Sequence, residues 1–214
     1  MTRLRVGVLI SGRGSNLQAL IDAAGDPSYP AEIVTVISNR ADAAGLVRAT
    51  ASGIPQQVIA APDRAAFAAT ANRVLHEAQV EFVALAGFMR LLDTSFVEAW
   101  TDRMINIHPS LLPAFPGLHP QRQALAAGVK FSGCTVHFVR AAVDTGPIIA
   151  QAVVPVEDGD DEDRLGERIL AAEHKLYPLA LRLFAEGRLR IAGNRVAIAG
   201  AAAPEIMALT RQRR

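Results

Sequence analysis

The sequence predicts an α/β fold, a mainly parallel central sheet flanked by helices with a mixed carboxyl-terminal part, and three observations carry that expectation. Short apolar, β-branched runs alternate with longer segments of helical period, as in a parallel sheet with crossover helices. After about residue 104 the pattern changes to a proline-dense loop and then to two alternating segments, which suit a mixed or antiparallel edge. A chain of 214 residues also buries roughly 70% of the surface its unfolded form exposes, so it folds without a disulfide or metal staple.

The elements follow in order. Leu4 to Ile10 reads as a buried strand, and Ser15 to Ala24 as the next helix, with Leu17, Leu20 and Ile21 on one face. Ile33 to Ile37 is a second strand, followed by a helix over Asp42 to Ala51 that Gly53-Ile54-Pro55 ends. Pro62-Asp63 starts a helix running to about Ala78, and Phe82 to Ala86 and Met104 to Ile107 are further strands. The loop from His108 to Pro120 holds four prolines beyond its first residue, and such a loop is costly to keep unless it shapes something. Gly133 to Val139 and Ile148 to Val156 are the alternating strands. Asp158 to Asp163 opens a long helix whose apolar positions Leu165, Ile169, Ala172, Leu176, Leu179 and Leu183 share a face. The alanine-rich stretch after Ile198, ending in Arg211-Gln-Arg-Arg, reads as a frayed basic tail.

Composition excludes several classes of function. One cysteine, Cys134, cannot build a disulfide framework, and a reducing, cytoplasmic compartment is expected. The 22 basic and 21 acidic side chains leave a formal net charge of +1, against the one-signed field that nucleic-acid or membrane-surface binding draws on. The apolar run at Val6 to Ile10 is too short for a signal-peptide core. No metal is expected: the histidines at 76, 108, 119, 137 and 174 lack ligand spacing, and the acidic run Glu157 to Asp163 lacks the glycine of a calcium loop.

Three features could carry chemistry. Ser11-Gly-Arg-Gly-Ser-Asn16 stands where the first strand turns into the first helix, so the amides of Gly14, Ser15 and Asn16 could cradle a phosphate. The alternative is a plain tight turn with Ser15 as helix cap. The dinucleotide pattern does not fit, since Leu17 stands where a third glycine belongs. In Asn106-Ile-His-Pro109, strand alternation puts Asn106 and His108 on one face, at the strand end where open α/β sheets bind ligands; the plain alternative is a loop-capping histidine. Asp144-Thr-Gly-Pro147 offers a carboxylate, or an ordinary turn aspartate. Together they supply an acid or base, a donor and a carboxylate but no nucleophile, which suits direct transfer through a tetrahedral intermediate. Glu173 borders the apolar face of the long helix; either Arg168 or Lys175 reaches it, or it faces a polar ligand.

Five ordered motifs resemble the phosphoribosylglycinamide formyltransferase family: Ser11-Gly-Arg-Gly-Ser-Asn16, Leu85-Ala-Gly-Phe-Met-Arg90, Asn106-Ile-His-Pro-Ser-Leu-Leu-Pro113, Pro116-Gly-Leu-His119, and Gly133 to Val139 followed by Asp144-x-Gly146. The resemblance runs from about Val6 to Leu189. It implies a Rossmann-like formyltransferase fold, one domain over 1–198 with a phosphate-binding half to about 100 and a folate and catalytic half after it, and a tail over 199–214. It implies transfer of the formyl group of 10-formyltetrahydrofolate to the amine of glycinamide ribonucleotide in purine synthesis, with no metal. By that resemblance Asn106, His108 and Asp144 are catalytic; Gly14, Ser15 and Asn16 hold the phosphate, and Glu173 the ribose hydroxyls. Met89, Arg90, Leu91 and Leu92 line the pterin site with Val97, Met104 and the loop from Arg140 through Val143 to Asp144, and Arg64 meets the glutamate tail.

Asn106 then donates to the developing oxyanion, His108 as imidazolium supplies the proton, and Asp144 favours the charged ring. Ala141 stands where relatives often carry an acidic residue, and Pro120-Gln121 where some carry Thr-His, neither a catalytic position. The tRNA-directed relatives carry a further carboxyl-terminal domain and the hydrolases an amino-terminal one, so a small-molecule acceptor is expected here. A formyltetrahydrofolate hydrolase and a non-catalytic phosphate-binding module are the competing readings. Monomer and homodimer are both compatible with the sequence, and the isomer of Leu112-Pro113 is left open, with trans the commoner state.

Overall fold

The computed structural model describes residues 2–200. Its strands are β1 (Leu4–Ile10), β2 (Ala31–Ser38), β3 (Gln56–Val58), β4 (Phe82–Leu85), β5 (Met104–His108), β6 (Phe131–Phe138), β7 (Ile148–Pro155), β8 (Leu189–Ala192) and β9 (Arg195–Ile198). The helices are α1 (Ser15–Ala24), α2 (Gly45–Ala51), α3 (Arg64–Glu77), α4 (Thr94–Ala99), α5 (Pro120–Ala126) and α6 (Glu162–Ala185). Among the described residues one sheet of nine strands runs in the order β3-β2-β1-β4-β5-β6-β7-β9-β8. The first five strands are parallel, while β6 runs antiparallel to both β5 and β7.

The chain builds outward from β1 to β3 on one side and then returns to place β4 on the other. The order therefore reverses between β1 and β4, which opens a crevice at their carboxyl ends. Strand alternation divides the core between the two faces: Val6, Val8 and Ile10 pack with Leu17, Leu20, Leu176 and Leu181 from α1 and α6. Leu9 packs on the other face with Phe67 and Leu75 of α3 and Phe96 and Trp100 around α4. Burial on both faces is why β1 reads as an unbroken apolar run.

The buried phenol of Tyr177, on α6, donates to the Leu85 and Ile105 carbonyls at 2.9 and 3.3 Å, tying the helix to β4 and β5 beside the crevice. Tyr177→Phe is expected to lower unfolding free energy by about 1 kcal/mol with unchanged secondary structure, read by denaturant titration.

The structure differs from the sequence reading at short or edge elements. The predicted helix from Asp42 begins only at Gly45, because Asp42 pairs with Arg40 at 2.6 and 2.9 Å. Three-residue β3, Gln56-Gln57-Val58, is exposed throughout and too short to carry an apolar run. The expected edge at β6 and β7 is interior: the β8–β9 hairpin extends the sheet, with β9 pairing to β7. In the predicted tail, Ala199 is held by Arg188 through its N–H and its carbonyl, and the tail from 201 to 214 lies outside the described residues. Leu112-Pro113 is cis.

Candidate active site

At the switch point, β1 ends at Ile10 and α1 begins at Ser15. Gly14 caps the helix at φ 70°, and a Cβ there would lie 2.5 Å from Gly45 Cα, so both conformation and space demand glycine. Among the described residues no side chain caps α1, so Ser15 does not act as its cap. The amides of Gly14, Ser15 and Asn16 have no hydrogen-bond partner among the described residues and stand at the positive end of a ten-residue helix. Ser11 joins this turn to the next: its hydroxyl donates to Asn39 Oδ1 at 2.6 Å and accepts from the Met89 N–H at 2.8 Å.

These residues line a cleft of about 1000 Å³. Arg13 and Arg40 contribute positive charge near the glycine turn, and the first turns of α6 contribute Glu162, Asp163 and Glu167. Deeper in lies Glu173, 5% exposed. Neither Arg168 nor Lys175 reaches it: Arg168 pairs with Asp160 at 2.8 Å and Glu157 at 3.2 Å, and Lys175 is exposed. Its partner is Asn16, whose Nδ2 donates to Oε2 at 2.7 Å. Burial pushes the Glu173 carboxyl up to about 7, opposed by that hydrogen bond. Asn16 Oδ1 is buried without a partner among the described residues, so an acceptor and a carboxylate wait side by side for a ligand's hydroxyl donors.

The cleft reaches Ile107 of β5 and Pro109 just past its end, so Asn106 and His108 alternate to the other side of the strand. There they meet Asp144, from the β6–β7 loop. Asp144 Oδ2 lies 3.4 Å from His108 Nδ1 and accepts from the Gly117 N–H at 2.8 Å. Asp144 adopts φ 54°, which aspartate tolerates better than most residues. Gly146 is required two residues on, because a Cβ there would lie 1.6 Å from the Phe138 carbonyl oxygen. His108 Nε2 lies 2.9 Å from the Phe115 carbonyl, which can only accept, so this nitrogen carries a proton.

The proline-rich loop earns its length by presenting that carbonyl and the Gly117 amide. It is pinned by Thr135, whose hydroxyl donates to Ser110 O at 2.7 Å and accepts from Leu112 N at 3.0 Å, and by Gln151 donating to Leu112 O at 2.9 Å.

Sequence reasoning gave no role to His137, which pairs in register with Asn106 across β5 and β6. Its Nδ1 donates to the Phe138 carbonyl at 3.0 Å, and burial lowers its pKa, so the ring is neutral with a bare Nε2. That nitrogen accepts from Asn106 Nδ2 at 3.4 Å and lies 3.8 Å from Asp144 Oδ1. The amide of Asn106 is thereby oriented, with one N–H given to His137 and the other left for a ligand. The only sequence signal was the histidine in Gly133 to Val139.

The remaining expected residues divide between core and surface. Val97 and Met104 are core residues, Met104 only 1% exposed, with Leu92 packed against the same cluster. Met89, Leu91 and Val143 are exposed apolar side chains, Met89 at 75%. Arg90 donates to Ala61 O at 2.8 Å and lies over the Phe67 ring, beside the start of α3, where Arg64 is exposed. Arg140 is turned to Asp102 at 2.6 Å, so a ligand would meet its main chain.

Residues 4–181 match the formyl transferase family. The chain is 58% identical over 193 residues to a trifunctional purine biosynthetic protein adenosine-3 of Drosophila pseudoobscura pseudoobscura, covering 88% of this chain. It spans only 14% of that relative's length. It is 45% identical to a phosphoribosylglycinamide formyltransferase of Escherichia coli (strain K12), covering 89% of this chain and 92% of that one. The crystal structure of glycinamide ribonucleotide transformylase 1 from Symbiobacterium toebii superposes with a TM-score of 0.89 at 54% identity, covering 92% of this chain and 94% of that one. With residues 4–181 matched by the family and both bacterial proteins matched over nearly their whole length, the chain belongs to the phosphoribosylglycinamide formyltransferase family.

Proposed function

We propose that this protein transfers the formyl group of 10-formyltetrahydrofolate to the primary amine of glycinamide ribonucleotide, in the cytoplasm, as a step of purine biosynthesis. The observation that carries the reading is the convergence of Asn106, His108 and Asp144 at the carboxyl end of β5, next to a cleft that runs to an open helix terminus. The phosphate is held by the amides of Gly14, Ser15 and Asn16, and the ribose hydroxyls donate to Glu173 and to Asn16 Oδ1. The donor's pterin lies on the floor of Leu92, Val97 and Met104, with Met89, Arg90, Leu91, Arg140 and Val143 around it and Arg64 toward its glutamate tail.

The neutral amine attacks the formyl carbon, and negative charge gathers on the formyl oxygen. Asn106 Nδ2–H stabilises that charge, held in aim by His137. His108 keeps its Nε2–H on Phe115, so Nδ1, facing Asp144, is the nitrogen that exchanges a proton with the intermediate. Collapse breaks the bond to N10, which leaves with a proton as the amine gives one up. Formylated glycinamide ribonucleotide and tetrahydrofolate result.

The purified protein, given both substrates, is expected to form the formylated amide at the rate tetrahydrofolate appears. Formate release independent of the acceptor, or neither product, would overturn the proposal. His137→Phe removes the acceptor that orients Asn106 without touching substrate. It is expected to lower kcat on the order of tenfold with both KM values within about threefold, read by steady-state kinetics.

A further inference from the structure

The phosphate turn is shaped from behind by α2. The Gly12 carbonyl accepts from Gly45 N at 3.0 Å, and the Arg13 carbonyl accepts from Arg48 Nε at 3.0 Å. In a planar trans peptide the carbonyl and the next N–H point in opposite directions. Holding these two carbonyls toward α2 therefore turns the amides of Arg13 and Gly14 away from it. Arg48 also donates through Nη1 to Gln18 Oε1 at 3.3 Å, so one guanidinium spans the turn and the next turn of α1. The two backbones meet without side chains: a Cβ on Gly45 would lie 2.7 Å from Ile10 Cδ1 and 3.0 Å from Gly14 Cα. Arg48 forms no ion pair with a carboxylate among the described residues, so its charge is uncompensated next to the turn.

We infer that Arg48 is a positioning residue for phosphate recognition: by holding the Arg13 carbonyl it aims the Gly14 amide at the substrate's phosphate and adds one positive charge behind it. The inference rests on the functional reading above, since the phosphate is that of the proposed acceptor. Its effect should fall on one substrate alone. The hydrogen bonds of Arg48 run to Arg13 and Gln18, and none reaches Asn106, His108 or Asp144.

Arg48→Met is expected to raise KM for glycinamide ribonucleotide on the order of tenfold, with kcat and KM for the formyl donor within about twofold. Arg48→Lys, which keeps the charge and a donor, should recover part of the loss. Thermal unfolding of both variants serves as the check on folding. In parallel, inorganic phosphate is titrated against 15N-labelled protein, where the Gly14 amide resonance should shift in the parent and shift less at equal phosphate in Arg48→Met.

An unchanged KM in Arg48→Met, or equal losses in kcat and both KM values, overturns the inference while the functional reading stands. If the parent transfers no formyl group, that reading fails instead, and the phosphate titration alone decides the part played by Arg48. A Gly14 shift equal in parent and variant refutes it in either case.

Discussion

Asn106→Ala, His108→Ala and Asp144→Asn are each expected to lower kcat by on the order of a hundred- to thousandfold, the usual loss when one preorganised donor to a developing oxyanion is removed. The effect belongs in kcat because the charge these groups meet exists only as the tetrahedral intermediate forms. Asp144→Asn is the most instructive of the three. It is nearly isosteric and can still accept from the Gly117 N–H through its amide oxygen, so the loop geometry should survive. What it loses is the negative charge 3.4 Å from His108 Nδ1.

Because Asp144 acts through His108, the double variant Asp144→Asn, His108→Ala should be little slower than His108→Ala alone. Asn106 acts on the same intermediate through a separate anchor, His137, so its loss should multiply with theirs more fully. Single-turnover rates with saturating donor measure all of these. Near-normal turnover in any single variant removes that residue from the mechanism.

The parts of this site legible in the sequence are those written in one continuous segment. The glycine turn is legible because β1, buried on both faces, is an unmistakable apolar run and α1 follows at once with a clear face. Asn106 and His108 are legible because strand alternation needs no tertiary information to put them on one side. Pairing across strands is different. His137 sits opposite Asn106 only in the observed register, and a slip of one residue would put Val136 or Phe138 there instead, with the opposite face turned inward.

Backbone partners are equally silent, since the Phe115 carbonyl that fixes the His108 proton could belong to any residue type. Glu173 was visible as a misplaced carboxylate, but its partner Asn16 lies 157 positions away at the other end of the fold. Proximity in sequence favoured Arg168 and Lys175 for that place. Arg168 instead folds back onto the acidic stretch before α6, where Asp160 and Glu157 supply two carboxylates at its own surface.

Glu173 should make the free protein's stability fall as pH rises. Its carboxyl titrates near 7 in the fold against an ordinary 4.5, a shift caused first by burial and only partly opposed by Asn16. A carboxyl raised on folding favours the folded state most fully below its unfolded pKa, and that favour is lost as pH climbs from about 4.5 through about 7. At 1.36 kcal/mol per pH unit the difference amounts to about 3 kcal/mol by pH 8. Glu173→Gln keeps an oxygen for Asn16 and cannot ionise, so it should match the parent at about pH 4, below the unfolded pKa, and exceed it at pH 8 by up to that amount in denaturant titrations. Ligand binding should move the other way. The carboxylate is the better acceptor for ribose hydroxyls, so Glu173→Gln should raise KM for the ribonucleotide on the order of tenfold at pH 8, and less at pH 6, where the parent's own carboxyl is largely protonated. Parallel stability curves for parent and variant from pH 5 to 8 would show that Glu173 is solvated rather than buried with Asn16. A KM ratio independent of pH would show that the ribose hydroxyls lie elsewhere. Both outcomes as expected would mean that the protein keeps a destabilising buried carboxylate because the bound hydroxyls compensate it, which places the strain at the site where substrate relieves it.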